Sequence, residues 1–90
     1  MSQRAVPSDP QPLVFYTTAG CHLCDQARAI YQHTLSLDLY QVEEVDIAND
    51  DQLIERYGVR IPVLKQTGSN RELGWPFDAQ QLREFLGEGD

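Results

Sequence analysis

Two cysteines with two residues between them, Cys21-His22-Leu23-Cys24, stand where an apolar run ends and a helical pattern begins. Leu13-Val14-Phe15-Tyr16 is continuously apolar, as a strand covered on both faces requires. After Thr17–Gly20, the residues Leu23, Ala27, Ile30, Thr34 and Leu35 recur at helical spacing and predict a helix from about Cys21 or His22 to near Leu35. The cysteine pair therefore falls at a strand-to-helix turn. Residues three apart in a helical turn have Cα atoms roughly 5–5.5 Å apart, within reach of a disulfide.

The rest of the chain continues the alternation. Tyr40–Ile47 predicts a second strand, but Tyr40 and Val42 have one parity and Val45 and Ile47 the other. A bulge would reconcile them, as would a strand confined to part of the segment. Asn49 with Gln52 is an N-cap pair for a second helix carrying Leu53, Ile54 and Tyr57, with Gly58 as a left-handed stop. Pro62-Val63-Leu64 opens a third strand, and Thr67-Gly68-Ser69-Asn70 turns back into a fourth at Arg71–Gly74. Asp78 with Gln81 is a capping box for a last helix, Phe77 stapling onto Leu82, and Gly87 ends it. The order is β-α-β-α-β-β-α, a parallel βαβ unit followed by a hairpin and a helix. Pro7, Pro10 and Pro12 mark residues 1–12 as an extended arm, leaving one domain over 13–87.

Charge and length narrow the function. With 7 Lys+Arg against 14 Asp+Glu the net charge is −7, and Lys65 is the single lysine. Nucleic acid and anionic membranes need clustered cations, so neither is expected as partner. No apolar run approaches the roughly 18 residues of a membrane span. The first residues lack the basic start and apolar stretch of a secretory signal, and two cysteines are too few for a stapled secreted scaffold. A small, acidic, monomeric domain of the cytoplasm is expected.

Within that frame the cysteine pair carries the chemistry. Cys21, at or just before the helix start, faces free N–H groups and the positive end of the dipole, a contribution of about 1–2 kcal/mol toward its thiolate. Protonated His22 adds to this, and Asp25 opposes it at the second thiol. Cys24 lies a turn inside and should stay protonated when reduced. Attack by Cys21 and resolution by Cys24 follow from that asymmetry. A structural staple is the weaker reading, because closing so short a loop yields only about 2 kcal/mol. Zinc would need four ligands, and His22 and His33 cannot easily join the two thiols in one tetrahedron. Haem attachment wants a histidine after the second cysteine, where Asp25 stands.

The strand–CxxC–helix start, the Val59-Arg60-Ile61-Pro62-Val63 segment and the element order resemble the thioredoxin fold. Within it the chain is most similar, from about Leu13 to Leu86, to small bacterial glutaredoxin-like proteins with a C-H-L-C-D motif, here Cys21–Asp25. The resemblance implies an α/β domain with a four-stranded mixed sheet flanked by three helices. It also implies a cis Ile61–Pro62 bond packed against the cysteines, with the Ile61 backbone pairing with a substrate segment. His22, Ile61, Pro62, Trp75 and Asp78 are the substrate-binding candidates beside the catalytic Cys21 and Cys24.

Some positions depart from glutaredoxins. His22-Leu23 replaces Pro-Tyr, Thr17–Gly20 lacks a basic residue, and Gly74-Trp75-Pro76-Phe77-Asp78 stands where a Gly-Gly and an acidic pair hold glutathione. Weak glutathione binding is therefore expected, with glutathione a candidate co-substrate and no metal or organic cofactor implied. Leu13–Tyr16 also lacks the buried acid that thioredoxins use to take the second thiol's proton.

Trp75 suits either a docking surface or packing between strand and helix. Tyr16 and Tyr57 read as core, His33 as a solvated helix residue, and Glu43-Glu44 and Asp50-Asp51 as solvated or helix-start acids. The leading function is thiol–disulfide exchange on protein or low-molecular-weight disulfides. The competing one is a non-catalytic binding or redox-sensing module using the groove beside Ile61–Pro62.

Overall fold

The computed structural model describes residues 10–36 and 39–87. Its elements are β1 (Gln11–Thr17), α1 (His22–Thr34), β2 (Tyr40–Asp46), a 3-10 turn (Ile47–Asn49), α2 (Asp51–Tyr57), β3 (Val63–Gln66), β4 (Glu72–Gly74) and α3 (Ala79–Phe85). They form a thioredoxin-like α/β fold around a four-stranded sheet ordered β2-β1-β3-β4. β1 runs parallel to β2 and antiparallel to β3, which pairs antiparallel with β4. Of the arm expected over 1–12, residues 1–9 lie outside the described residues. Gln11 and Pro12 already belong to β1, opposite Tyr40 and Gln41, so the strand begins two residues earlier than its apolar run.

Strand alternation divides the core between the two faces of the sheet. Leu13, Phe15 and Leu64 are fully buried on one face, against Ala27 and Tyr31 of α1 and Leu82 and Phe85 of α3. Each such side chain contributes about 1.5–3 kcal/mol on burial. Val63 points the opposite way and packs with Ile47 and Tyr57, and Tyr16 stacks on Tyr57 at 4.2 Å. Buried Gln66 is satisfied, donating to the Phe85 carbonyl at 2.6 Å and accepting from the Ser69 hydroxyl at 2.8 Å.

The two faces also explain the parity conflict in β2. The register with β1 is continuous from Tyr40 to Asp46 without a bulge, and the strand is confined to that part of the segment, one residue short of Ile47. Tyr40, Val42 and Glu44 share the α1 side, Val45 faces the other way, and Ile47 has left the strand for the 3-10 turn.

Four local expectations are corrected. The α2 cap is Asp50, not Asn49: the Asp50 carboxylate accepts the Gln52 N–H at 2.8 Å and the Leu53 N–H at 3.4 Å, while Asn49 completes the 3-10 turn. Gly58 caps α2 in the right-handed region, φ −53°. What requires glycine there is crowding, since a Cβ would stand 2.5 Å from the Ile54 carbonyl oxygen. Leu23 is 46% exposed, because the inward positions of α1 belong to Cys24, Ala27 and Tyr31. Glu44 is not a merely solvated charge, as its partners on α1 show below. The Asp78–Gln81 capping box, with Phe77 and Leu82 both buried, and the left-handed Gly87 (φ +84°) stand as expected. Among the described residues no helix is long and apolar enough to cross a membrane.

Candidate functional site

β1 ends at Thr17, and Gly20, at φ +77°, turns the chain into α1 through a conformation that a side chain would disfavour. Cys21 follows as the N-cap. Its Sγ accepts the Cys24 N–H at 3.1 Å, as a capping serine or aspartate oxygen would. Cys21 and Cys24 are joined as a disulfide with Cα atoms 5.2 Å apart. The sulfurs are unequal: Cys21 is half-buried at the helix mouth, whereas Cys24 is 1% exposed and packs in the main core. His22 and Leu23 lie exposed between them.

The second wall is the segment after α2. The Ile61–Pro62 peptide is cis, Pro62 is fully buried, and half-buried Ile61 touches both core clusters. The Ile61 N–H donates to the Tyr57 carbonyl at 2.9 Å, so the Ile61 amide is already engaged within the turn. The third wall follows β4. The Trp75 N–H donates to the Pro62 carbonyl at 3.2 Å, and the half-buried Trp75 ring meets Phe77 edge-on at 5.3 Å. Both readings of Trp75 thus keep a foothold, since it packs and also presents surface. A second cis bond, Trp75–Pro76, was not anticipated. Cys21, Ile61 and Trp75 all pack against the main core cluster, and the register that pairs Tyr16 with Val63 and Val63 with Gly74 starts their segments from the same end of the sheet.

Asp78, whose other expected part is the cap of α3, makes that cap. Its Oδ1 accepts the Gln81 N–H at 2.8 Å, and Gln81 Oε1 accepts the Asp78 N–H at 3.0 Å. In the Thr17–Gly20 turn, the Thr18 hydroxyl donates to Asp46 at 3.1 Å. A surface cavity of about 530 Å³ is lined by Gln52, Leu53, Glu55 and Arg56, none of them a predicted site residue. Among the described residues no three His, Cys, Asp or Glu side chains group as metal ligands.

Two polar networks beside the site escaped the sequence reading. Arg28, one turn beyond Cys24, grips Glu44 with Nε at 2.6 Å and Nη2 at 2.9 Å, and Asp25 with Nη1 at 2.8 Å. The Tyr31 hydroxyl donates to Glu44 Oε2 at 2.6 Å. The Arg28 hydrogen bonds, opposed by partial burial and aided by Tyr31, hold the Glu44 carboxyl below its usual range. Burial first, then Glu44, pushes the Tyr31 hydroxyl above its usual range. In the second network Glu72 accepts from the Tyr57 hydroxyl and from Arg60 Nη2, the latter at 2.7 Å. Burial, then Glu72, pushes Tyr57 up to about 12. Burial opposes ionisation of Glu72, yet Tyr57 and Arg60 outweigh it and keep that carboxyl below its usual range. The available signal for the first network was Arg28 four residues after Cys24 on one helix face, with Glu44 sharing the parity of Tyr40 and Val42.

A parallel β-α-β unit, an antiparallel hairpin, a cis-proline segment and a CxxC disulfide at a helix N-terminus together define a redox module of the thioredoxin fold. Residues 12–87 match the model of the Glutaredoxin-like domain (DUF836), and the chain belongs to that family. The crystal structure of the structural-genomics target protein XcR50 from X. campestris is similar, at 40% identity and TM-score 0.72, covering 83% of this chain and 95% of that one. The solution structure of XcR50 aligns at 39% identity and TM-score 0.69, covering 83% and 91%. Protein Ne2328 from Nitrosomonas europaea aligns at 25% identity and TM-score 0.63, covering 93% and 95%. No match is found among curated proteins.

Proposed function

We propose that the protein is a thiol–disulfide oxidoreductase in which Cys21 attacks substrate disulfides and Cys24 resolves the mixed disulfide. The observation that carries this reading is the inequality of the two sulfurs: Cys21 accepts the Cys24 N–H at the helix mouth, and Cys24 is 1% exposed. In the reduced protein that N–H and the positive helix end favour the Cys21 thiolate. The thiolate forms a bond to one substrate sulfur, the substrate S–S bond breaks, and the leaving thiolate takes up a proton. Cys24 then attacks Cys21 Sγ, its proton passing to the departing sulfur directly or through water. The second substrate thiol leaves, and the Cys21–Cys24 disulfide is restored. Two electrons pass to the substrate, and a dithiol or two monothiols return them.

The substrates proposed are extended protein segments that lean on Trp75 and pair with the Ile61 carbonyl. Glutathione is the weaker ligand in this reading. Thr17–Gly20 carry no cation, Thr18 is turned to Asp46, and an Asp78 oxygen is engaged by α3. The net charge of −7 further opposes an anion. Each missing charge-assisted hydrogen bond costs about 1.5–3 kcal/mol, roughly tenfold or more in affinity.

Trapping tests the reading. Cys24→Ser should accumulate substrates as mixed disulfides on Cys21, and Cys21→Ser should lose exchange. Better capture by Cys21→Ser would reverse the two roles. Capture by neither variant would favour a non-catalytic binding module.

A further inference from the structure

The Ile61 main chain leaves a turn whose two flanking side chains, Tyr57 and Arg60, share one carboxylate. Tyr57, the last residue of α2, accepts the Arg60 N–H at 2.8 Å and the Ile61 N–H at 2.9 Å on one carbonyl. Glu72, on β4, grips the two side chains that bound this turn. Its Oε2 accepts from the Tyr57 hydroxyl and its Oε1 from Arg60 Nη2 at 2.7 Å. Tyr57 is fully buried and stacked on Tyr16, so its end of the clamp is anchored in the core. The Arg60 guanidinium lies over the Tyr57 ring at 5.2 Å, and Ile61 is the next residue.

Exposed ion pairs do little, because both side chains remain mobile. Glu72 differs: its side chain is 23% exposed, and it holds two partners from one turn. Three residues further on, Trp75 returns its N–H to the Pro62 carbonyl. β4 and its continuation thus fasten the Tyr57–Pro62 segment at both ends.

We propose that Glu72 is a positioning residue for substrate docking, which fixes the Tyr57–Arg60 turn and so aims the Ile61 carbonyl at the N–H of an extended polypeptide disulfide. This deepens the oxidoreductase reading and rests on it. Polypeptide disulfides, which have backbone amides to donate, depend on Glu72. Small disulfides without peptide groups do not.

The test is rapid-quench oxidation of the pre-reduced protein by an excess of either a synthetic peptide carrying a mixed disulfide or 2-hydroxyethyl disulfide. For Glu72→Gln, the half-saturating peptide concentration should rise about tenfold with the limiting rate within about twofold, as loss of a positioning hydrogen bond implies. The rate with 2-hydroxyethyl disulfide and the potential of the cysteine pair should not move. Tyr57→Phe removes one of the two donors to Glu72 and no charge, and is held to the same criteria should Glu72→Gln fail to fold. An equal loss with both disulfides, or an unmoved peptide half-saturation, overturns the inference and leaves the oxidoreductase reading standing. A wild-type protein inert to both disulfides overturns the two together.

Discussion

Arg28 reaches two carboxylates at once, Glu44 through a two-pronged contact and Asp25 through Nη1. Asp25 follows Cys24 directly, so Arg28 offsets a negative charge in the first turn of α1, beside the proposed Cys21 thiolate. In Arg28→Gln both carboxylates lose that cation. The midpoint of the Cys21 thiolate absorbance titration should then rise by roughly half a pH unit, with a stability cost of about 1 kcal/mol. An unmoved midpoint would show that the network serves structure alone. Glu44, with Glu72, and Tyr57, with Tyr31, make stability depend on pH from opposite sides. The Glu44 carboxyl is lowered on folding from 4.5, so its contribution is present above about pH 4.5 and is lost as pH falls through the folded value. Tyr57 is raised from 10.0 to about 12, so its contribution is present below about pH 10 and is lost as pH rises toward 12. Urea midpoints from pH 3 to 12 should trace both limbs; Glu44→Gln should make the acid limb shallower, with the Glu72 part remaining, and Tyr57→Phe should do the same to the alkaline limb, with the Tyr31 part remaining.

Elements whose signals are local were legible in the sequence. The N-terminus of α1 follows from Cys21 lying just ahead of a helical period, and α3 from Asp78 and Gln81 at capping-box spacing. Where neighbouring residues offer the same chemistry, local reading fails. Asn49, Asp50 and Asp51 can each cap, and the 3-10 turn over Ile47–Asn49 decides for Asp50. The phase of α1 slipped for a related reason: Leu23 and Cys24 both fit an apolar stripe, and the core takes Cys24. Asp78 invites a test at this scale, since it caps α3 and is also a candidate ligand contact. Asp78→Ala should destabilise the protein by about 1 kcal/mol in urea unfolding and leave its rate of disulfide exchange unchanged. A fall in exchange without loss of stability would return Asp78 to the substrate site.

At the scale of the whole molecule, the candidate site residues come from chain positions that sheet order sets at the same end of neighbouring strands. Cys21 follows β1, Pro62 precedes β3, and Trp75 follows β4, and β1-β3-β4 are neighbours. The cis proline was legible through family resemblance, whereas the Arg28–Glu44 and Tyr57–Glu72 contacts depend on strand register that no local pattern encodes. Only the folded sheet brings these partners within reach of one another. The central claim is that the Cys21–Cys24 disulfide opens and closes as a redox couple instead of serving as a fixed staple. Equilibration of the protein in graded thiol–disulfide buffers, with alkylation and mass measurement, tests it most directly. The expected result is one two-electron transition between about −120 and −270 mV, the range of exchange-active pairs; a pair still fully oxidised below about −300 mV would behave as a structural disulfide and contradict the account.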